Sequence, residues 1–245
     1  MNRVSCPASA LIRRVPGCYD APQNRRYSLI CGIIFDFDGT LIDSYEAIAD
    51  SLNHVRAAHN LPPIDLEKVK SMVGHGLEEL IEEAIGPERV DAGVKLFREH
   101  YAQVCEERTS VLPQVKETLE GLERRGYQMG IASNKPSYFV RDILRALEMD
   151  HLFAEVVGPN DVANAKPDPE MLEIIMMRFG LGPDEIVYVG DMLLDIEVAR
   201  RSGVPIYAIP TGSATREALL EGRPDRLLRK FSDLLTVLPT LSGSR

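Results

Sequence analysis

The chain has 245 residues, 44% hydrophobic and 27% charged, which suits one or two ordinary globular domains with a sizeable core. Its net charge of -9 disfavours a nucleic-acid partner, which wants a basic face, and no apolar stretch approaches the roughly 18 residues of a membrane span. The four cysteines, Cys6, Cys18, Cys31 and Cys105, are scattered and form no close CxxC pair, so a reducing cytoplasm is the expected setting.

Residues 1–28 differ from the rest: five arginines stand against the single acid Asp20, and the remaining residues carry -13. The apolar stretch Ala8 to Ile12 is too short for a secretory signal. An Arg-rich, acid-poor leader fits a transit peptide, but the composition favours a disordered extension or an upstream start codon.

The apolar run from Leu29 to Phe35 predicts a strand buried on both faces, as in a parallel sheet covered by helices. Asp36 and Asp38 follow at its carboxyl end, where ligand sites of open α/β sheets lie, and Gly39 breaks the strand. Side chains two apart on an extended chain face the same way, so both carboxylates point to one side. Two such charges repel, and a divalent cation, a shared proton or a strong donor must relieve that cost.

Asp43 or Ser44 then caps a helix through about His59, with Tyr45, Ile48, Leu52 and Val55 at helical spacing. Three further helical patterns follow: Leu66, Val69 and Met72; Leu77, Leu80, Ile81 and Ala84; and Val90, Val94, Phe97, Tyr101 and Val104. With no strand pattern among them, residues 45–107 read as a helical insertion forming a small second domain. Thr109 to Pro113 returns the chain to the main body, and Val115, Leu119 and Leu122 mark another amphipathic helix.

From Tyr127 a βα rhythm argues for a doubly wound parallel sheet. Strands are expected at Tyr127 to Ala132, Phe153 to Val157, Ile186 to Val189 and Ile206 to Ile209, with helices between them. The tail, including a Ser232-capped stretch through Leu238, is expected at the sheet edge. The predicted architecture is α/β: a Rossmann-like core of residues 29–44 and 108–245 with an inserted helical cap over 45–107.

Polar groups stand at four strand ends or adjoining turns: Asp36 with Asp38, Ser133 with Asn134, Lys166, and Asp191 with Asp195. In order and spacing they resemble the four motifs of the haloacid dehalogenase superfamily, over about Leu29 to Leu238. The insertion after the first motif resembles the cap of the subgroup that includes phosphoglycolate phosphatase and beta-phosphoglucomutase. The resemblance implies Asp36 as nucleophile and Mg²⁺ ligand, the Asp38 backbone carbonyl as ligand, and Asp191 as the acid completing the site. It implies Asp38 as general acid/base, protonating the leaving alkoxide and then activating water. Ser133 and Asn134 are expected to donate to the phosphoryl group, and Lys166 to neutralise it together with the acids. Asp195 either holds a metal-bound water, braces Lys166, or is an exposed first-turn acid.

In the insertion, the glycines of Gly74-His75-Gly76 free the backbone before a helix starting at about Leu77, whose amides can meet an anion. His75 and Gly76 are therefore expected to bind substrate, the alternative being a plain turn with His75 exposed. Three residues depart from the phosphoglycolate phosphatase pattern, namely Ser133, Gln114 and Met192, and none removes a reacting group.

The expected function is a Mg²⁺-dependent phosphomonoesterase, working through an aspartyl phosphate on a small phosphorylated metabolite, first of all 2-phosphoglycolate. A phosphosugar mutase of the same family, and a regulatory or binding protein on a retained phosphatase fold, are the alternatives. A monomer or homodimer in the cytoplasm, without nucleic-acid or membrane partners, completes the expectation.

Overall fold

The computed structural model describes residues 29–241; the Arg-rich leader, and with it the extension expected over 1–28, lies outside the described residues. The central strand β1 (Gly32–Phe35) is fully buried. It lies between β4 (Gln128–Ala132) and β6 (Ile186–Gly190), parallel to both, with Phe35 opposite Ile131 on one side and Val189 on the other. With β5 (Glu155–Val157), β7 (Ile206–Ala208) and β8 (Arg226–Leu227) the sheet order is β5-β4-β1-β6-β7-β8, parallel throughout.

The two-residue alternation of β1 sorts the core. Ile33 and Phe35 join an apolar cluster with α5 (Val115–Arg124) and α6 (Ser137–Ala146). Ile34 faces the opposite cluster, with α7 (Glu170–Phe179) and α8 (Leu193–Ser202). Each fully buried aliphatic side chain there stabilises the fold by roughly 1.5–3 kcal/mol. Both faces of the central strands are thus closed, and only their carboxyl ends open to a ligand.

Between β2 (Ile42–Asp43) and β3 (Ser110–Val111) the chain is helical: α1 (Tyr45–Ala58), α2 (Leu66–Met72), α3 (Leu77–Ile85) and α4 (Val90–Val104). Asp65 caps α2 by accepting from the Lys68 amide at 2.8 Å, and Asn53 grips the Ile64 backbone by both its carbonyl and its amide, at 3.0 and 2.9 Å. Strands β2 and β3, antiparallel and only two residues each, close the insertion at its base; so short a pair leaves no periodicity in the sequence.

Two local expectations are corrected. Ser44 occupies the N-cap of α1, but its hydroxyl donates to Asp38 Oδ1, and it is the other candidate, Asp43, that accepts the Tyr45 amide at the helix start, at 3.2 Å. The tail does not stay at the sheet edge. Only β8 does, whereas α10 (Leu234–Val237) packs on one face, opposite the face that the preceding α9 (Arg216–Glu221) covers, and Phe231 lies 5.8 Å from the Phe35 ring of the central strand. Ser232 caps nothing and donates to Gln114 Oε1, while Arg125 holds the tail by bonding to the Leu238 carbonyl at 2.6 Å.

Candidate active site

The carboxyl ends of β1, β4 and β6 bring Asp36, Ser133 and Asp191 together, and the loop after β5 adds Lys166. Lys166 Nζ is 2.9 Å from Asp36 Oδ1, from Asp195 Oδ1 and from the Tyr188 hydroxyl, so its three hydrogens are all engaged. Asp195, in the first turn of α8, also accepts from the Tyr188 hydroxyl at 2.9 Å and from the Met192 amide at 3.0 Å. It is 1% exposed, so it braces the lysine and is not a solvated first-turn acid.

Thr40 donates to Asp191 Oδ1 at 2.7 Å, while Asp191 Oδ2 is buried with no hydrogen-bond partner. That oxygen lies against two glycines. A Cβ on Gly39, whose φ is +81°, would stand 2.7 Å from it, and one on Gly212 would collide with it outright.

Asp38 shares a cavity with these groups, but its partners differ. Lys135 Nζ lies 2.9 Å from each of its carboxylate oxygens and 4.8 Å above the Tyr101 ring. The Tyr101 hydroxyl is buried and, among the described residues, has no partner at hydrogen-bond distance, although Lys135 interacts with it. Sequence reasoning singled out neither residue. The only signal was position, since Lys135 follows Ser133 and Asn134 at the end of β4; Tyr101 read as one more apolar position of α4.

Ser133 is buried and lines the cavity, its Oγ accepting the Lys135 amide at 3.3 Å. Asn134 lines the cavity as well. Its side-chain amide donates to the Gly74 carbonyl at 3.0 Å and to the Lys166 carbonyl at 3.1 Å, and its Oδ1 accepts the Lys166 amide at 3.0 Å. Both side-chain amide hydrogens are thereby engaged in joining the insertion to the Lys166 loop. Gly74 and Gly76 line the cavity, but His75 is exposed and does not.

Electrostatics set the acids apart. Burial pushes the Asp36 carboxyl up to about 6, against the pull of Lys166. Burial, with Asp195 and Asp36 nearby, holds Asp191 well above the usual carboxylate range. Burial alone would lower Lys166, yet Asp195 and Asp36 together keep its ammonium above the ordinary lysine value.

The model of the haloacid dehalogenase-like hydrolase family matches residues 33–209, a span holding every charged and hydroxyl side chain of the site. The chain belongs to that family. It is 34% identical over 233 residues to the phosphoglycolate phosphatase of Salmonella paratyphi A, covering 85% of this chain and 92% of that protein. To the phosphoglycolate phosphatase of Escherichia coli K12 it is 32% identical over 237 residues, covering 87% and 94%. Among solved structures, one described as a predicted phosphoglycolate phosphatase of Haemophilus somnus 129PT superposes with a TM-score of 0.78 at 30% identity, covering 86% of this chain and 98% of that one. A haloacid dehalogenase-like family hydrolase of Streptococcus pneumoniae gives 0.74 at 25% identity, covering 80% and 92%.

A haloacid dehalogenase-like hydrolase implies a divalent metal, and the donors present fit one. Asp36, Asp191 and Asp195 offer oxygens all within 4.8 Å of one another, and among the described residues the ammonium paired with them is that of Lys166. The negative excess and the orphaned Asp191 Oδ2 suit a hard cation taking oxygen ligands. Asp195, already bound to Lys166, Tyr188 and Met192, contributes by bracing, so Asp36 and Asp191 are the better placed ligands.

Proposed function

We propose that this protein is a Mg²⁺-dependent phosphomonoesterase, with 2-phosphoglycolate as the first substrate to test. The observation that carries the reading is Asp36: a buried carboxylate at the end of the central strand, fixed by Lys166 at 2.9 Å, with Asp38 two residues on facing the same cavity.

Asp36 attacks phosphorus in line with the ester oxygen. The P–O bond breaks toward that oxygen, which takes a proton from Asp38 and leaves as an alcohol. Asp38 then removes a proton from water, which attacks phosphorus and frees Asp36 and inorganic phosphate. Lys166 and the Ser133 hydroxyl offset the phosphoryl charge. Asp36, Asp191 and the Asp38 carbonyl would hold Mg²⁺, which would supply Lewis-acid charge to the phosphoryl group.

Helices α1 to α4 act in this reading as a cap over the site. Its supports are the apolar cavity wall they supply and the Gly74 to Asn134 hydrogen bond. The same proposal places the enzyme in the cytoplasm as a monomer or homodimer acting on a small metabolite rather than on nucleic acid. Among the described residues no helix is long and apolar enough to cross a membrane.

The test is phosphate release from a panel of phosphorylated metabolites, with and without Mg²⁺. Mg²⁺-dependent release from 2-phosphoglycolate is expected. Phosphoryl exchange between sugar positions without release would favour a mutase instead.

A further inference from the structure

Beyond the phosphoryl site, the cavity wall is apolar, formed by Ile48, Leu77, Leu80 and Phe97. A leaving group that carries a second anion must bury it somewhere, and doing so against that wall without a partner is costly. Lys166 cannot supply the partner, because its three hydrogens already meet Asp36, Asp195 and Tyr188. His75 does not line the cavity. Lys135 does, and it is the one other ammonium there.

Two observations converge on that place. Lys135 is 8% exposed and lies 2.9 Å from both oxygens of Asp38, whose side chain faces the site. Beside it, and interacting with it, the Tyr101 hydroxyl is buried, lines the cavity and has no partner at hydrogen-bond distance among the described residues. A buried hydroxyl without a close partner favours a ligand that can satisfy it.

We propose that Lys135 and Tyr101 form the leaving-group subsite, binding a carboxylate borne on the same carbon as the ester oxygen. The inference rests on the phosphomonoesterase reading above. Distance sets the spacing. Asp38 must reach the ester oxygen to protonate it, and Lys135 lies one hydrogen bond beyond Asp38, so the Lys135 ammonium sits within about 3–6 Å of the ester oxygen and an anion it binds stays close to the reacting centre. A carboxylate borne on the ester carbon meets that condition. An anion several carbons further out falls against Leu77, Leu80 and Phe97.

The experiment compares kcat/KM for 2-phosphoglycolate and for ethyl phosphate, which has a similar alkoxide leaving group but no carboxylate. The native enzyme, Lys135→Met and Tyr101→Phe are assayed with Mg²⁺. The ratio of the two values, taken on one preparation, cancels any loss of folded protein and any general loss of Asp38 function. It should fall by about 30-fold or more in Lys135→Met and by about 5-fold in Tyr101→Phe, as loss of a charged and a neutral hydrogen bond implies. A Lys135→Met ratio within about twofold of native overturns the subsite, because Lys135 then serves Asp38 alone. If Lys135→Met turns over neither substrate, the Tyr101→Phe ratio decides, and an unchanged value overturns the proposal. Failure of the native enzyme on both esters and on p-nitrophenyl phosphate would instead remove the phosphomonoesterase reading itself.

Discussion

Lys166 Nζ and Asp195 Oδ1 lie 2.9 Å apart, both side chains at most 2% exposed. Asp195 accepts two further hydrogen bonds, from Tyr188 and Met192, so it is a structural anchor as much as an electrostatic one. Asp195→Ala takes one of two carboxylates from Lys166 and strands the Met192 amide, while Asp36 still holds the ammonium and the Tyr188 hydroxyl keeps the Ala132 carbonyl. It should lower unfolding free energy by about 1–3 kcal/mol in urea titration, the usual cost of leaving a buried polar group unsatisfied. A loss below about 0.5 kcal/mol would show that Asp36 alone anchors Lys166.

Asp36 belongs to the same cluster but should behave oppositely. Replacing it with Asn removes a charge that burial disfavours, so Asp36→Asn without metal should melt no lower than native protein. Its turnover should fall below about a hundredth of native, since an amide is no nucleophile. Calorimetry beside the phosphate-release assay checks both halves.

The raised Asp36 pKa also fixes a pH trend for the metal-free protein. Folded Asp36 holds its proton up to about 6, against an ordinary value of 3.8. Between those values the folded state binds more protons than the unfolded one, so stability falls as pH rises through the window and levels off above it. Asp191, raised for the same reason, adds in the same direction. Melting in EDTA from about pH 4.5 to 7.5 should show native protein losing stability relative to Asp36→Asn as pH rises. Parallel curves would mean that Asp36 does not titrate there.

The exposed position of His75 predicts that His75→Ala changes kcat/KM for a carboxylated phosphoester by less than about threefold. Gly74 is the sensitive residue of that loop. Its φ is +133°, and a Cβ would stand 2.4 Å from the Met192 side chain. Gly74→Ala should therefore cost about 10-fold or more, measured on the same substrate, by displacing the carbonyl that Asn134 holds.

Much of this was legible in the sequence because the signals were long or tied to strand ends. Apolar runs marked the five longer strands of the sheet, and each strand-end motif put its acid or lysine near one cavity. What escaped was set by distant contacts. Nothing local distinguishes Lys135 from a solvated lysine, since the acid that fixes it, Asp38, lies 97 residues away. Asn134 reads equally well as a phosphate donor or a clasp until Gly74 and Lys166 are seen beside it. The tail resembled an edge element because its pairing with Phe35 and Arg125 crosses the whole chain.

The most direct test of the covalent role of Asp36 is to quench the protein during turnover and treat it with borohydride, which reduces an acyl phosphate to an alcohol. Peptide sequencing by mass spectrometry then reads residue 36. Homoserine at position 36, appearing only with substrate and Mg²⁺, is the predicted result. Rapid turnover with Asp36 unmodified, or with the reduced residue at another acid, would contradict the account.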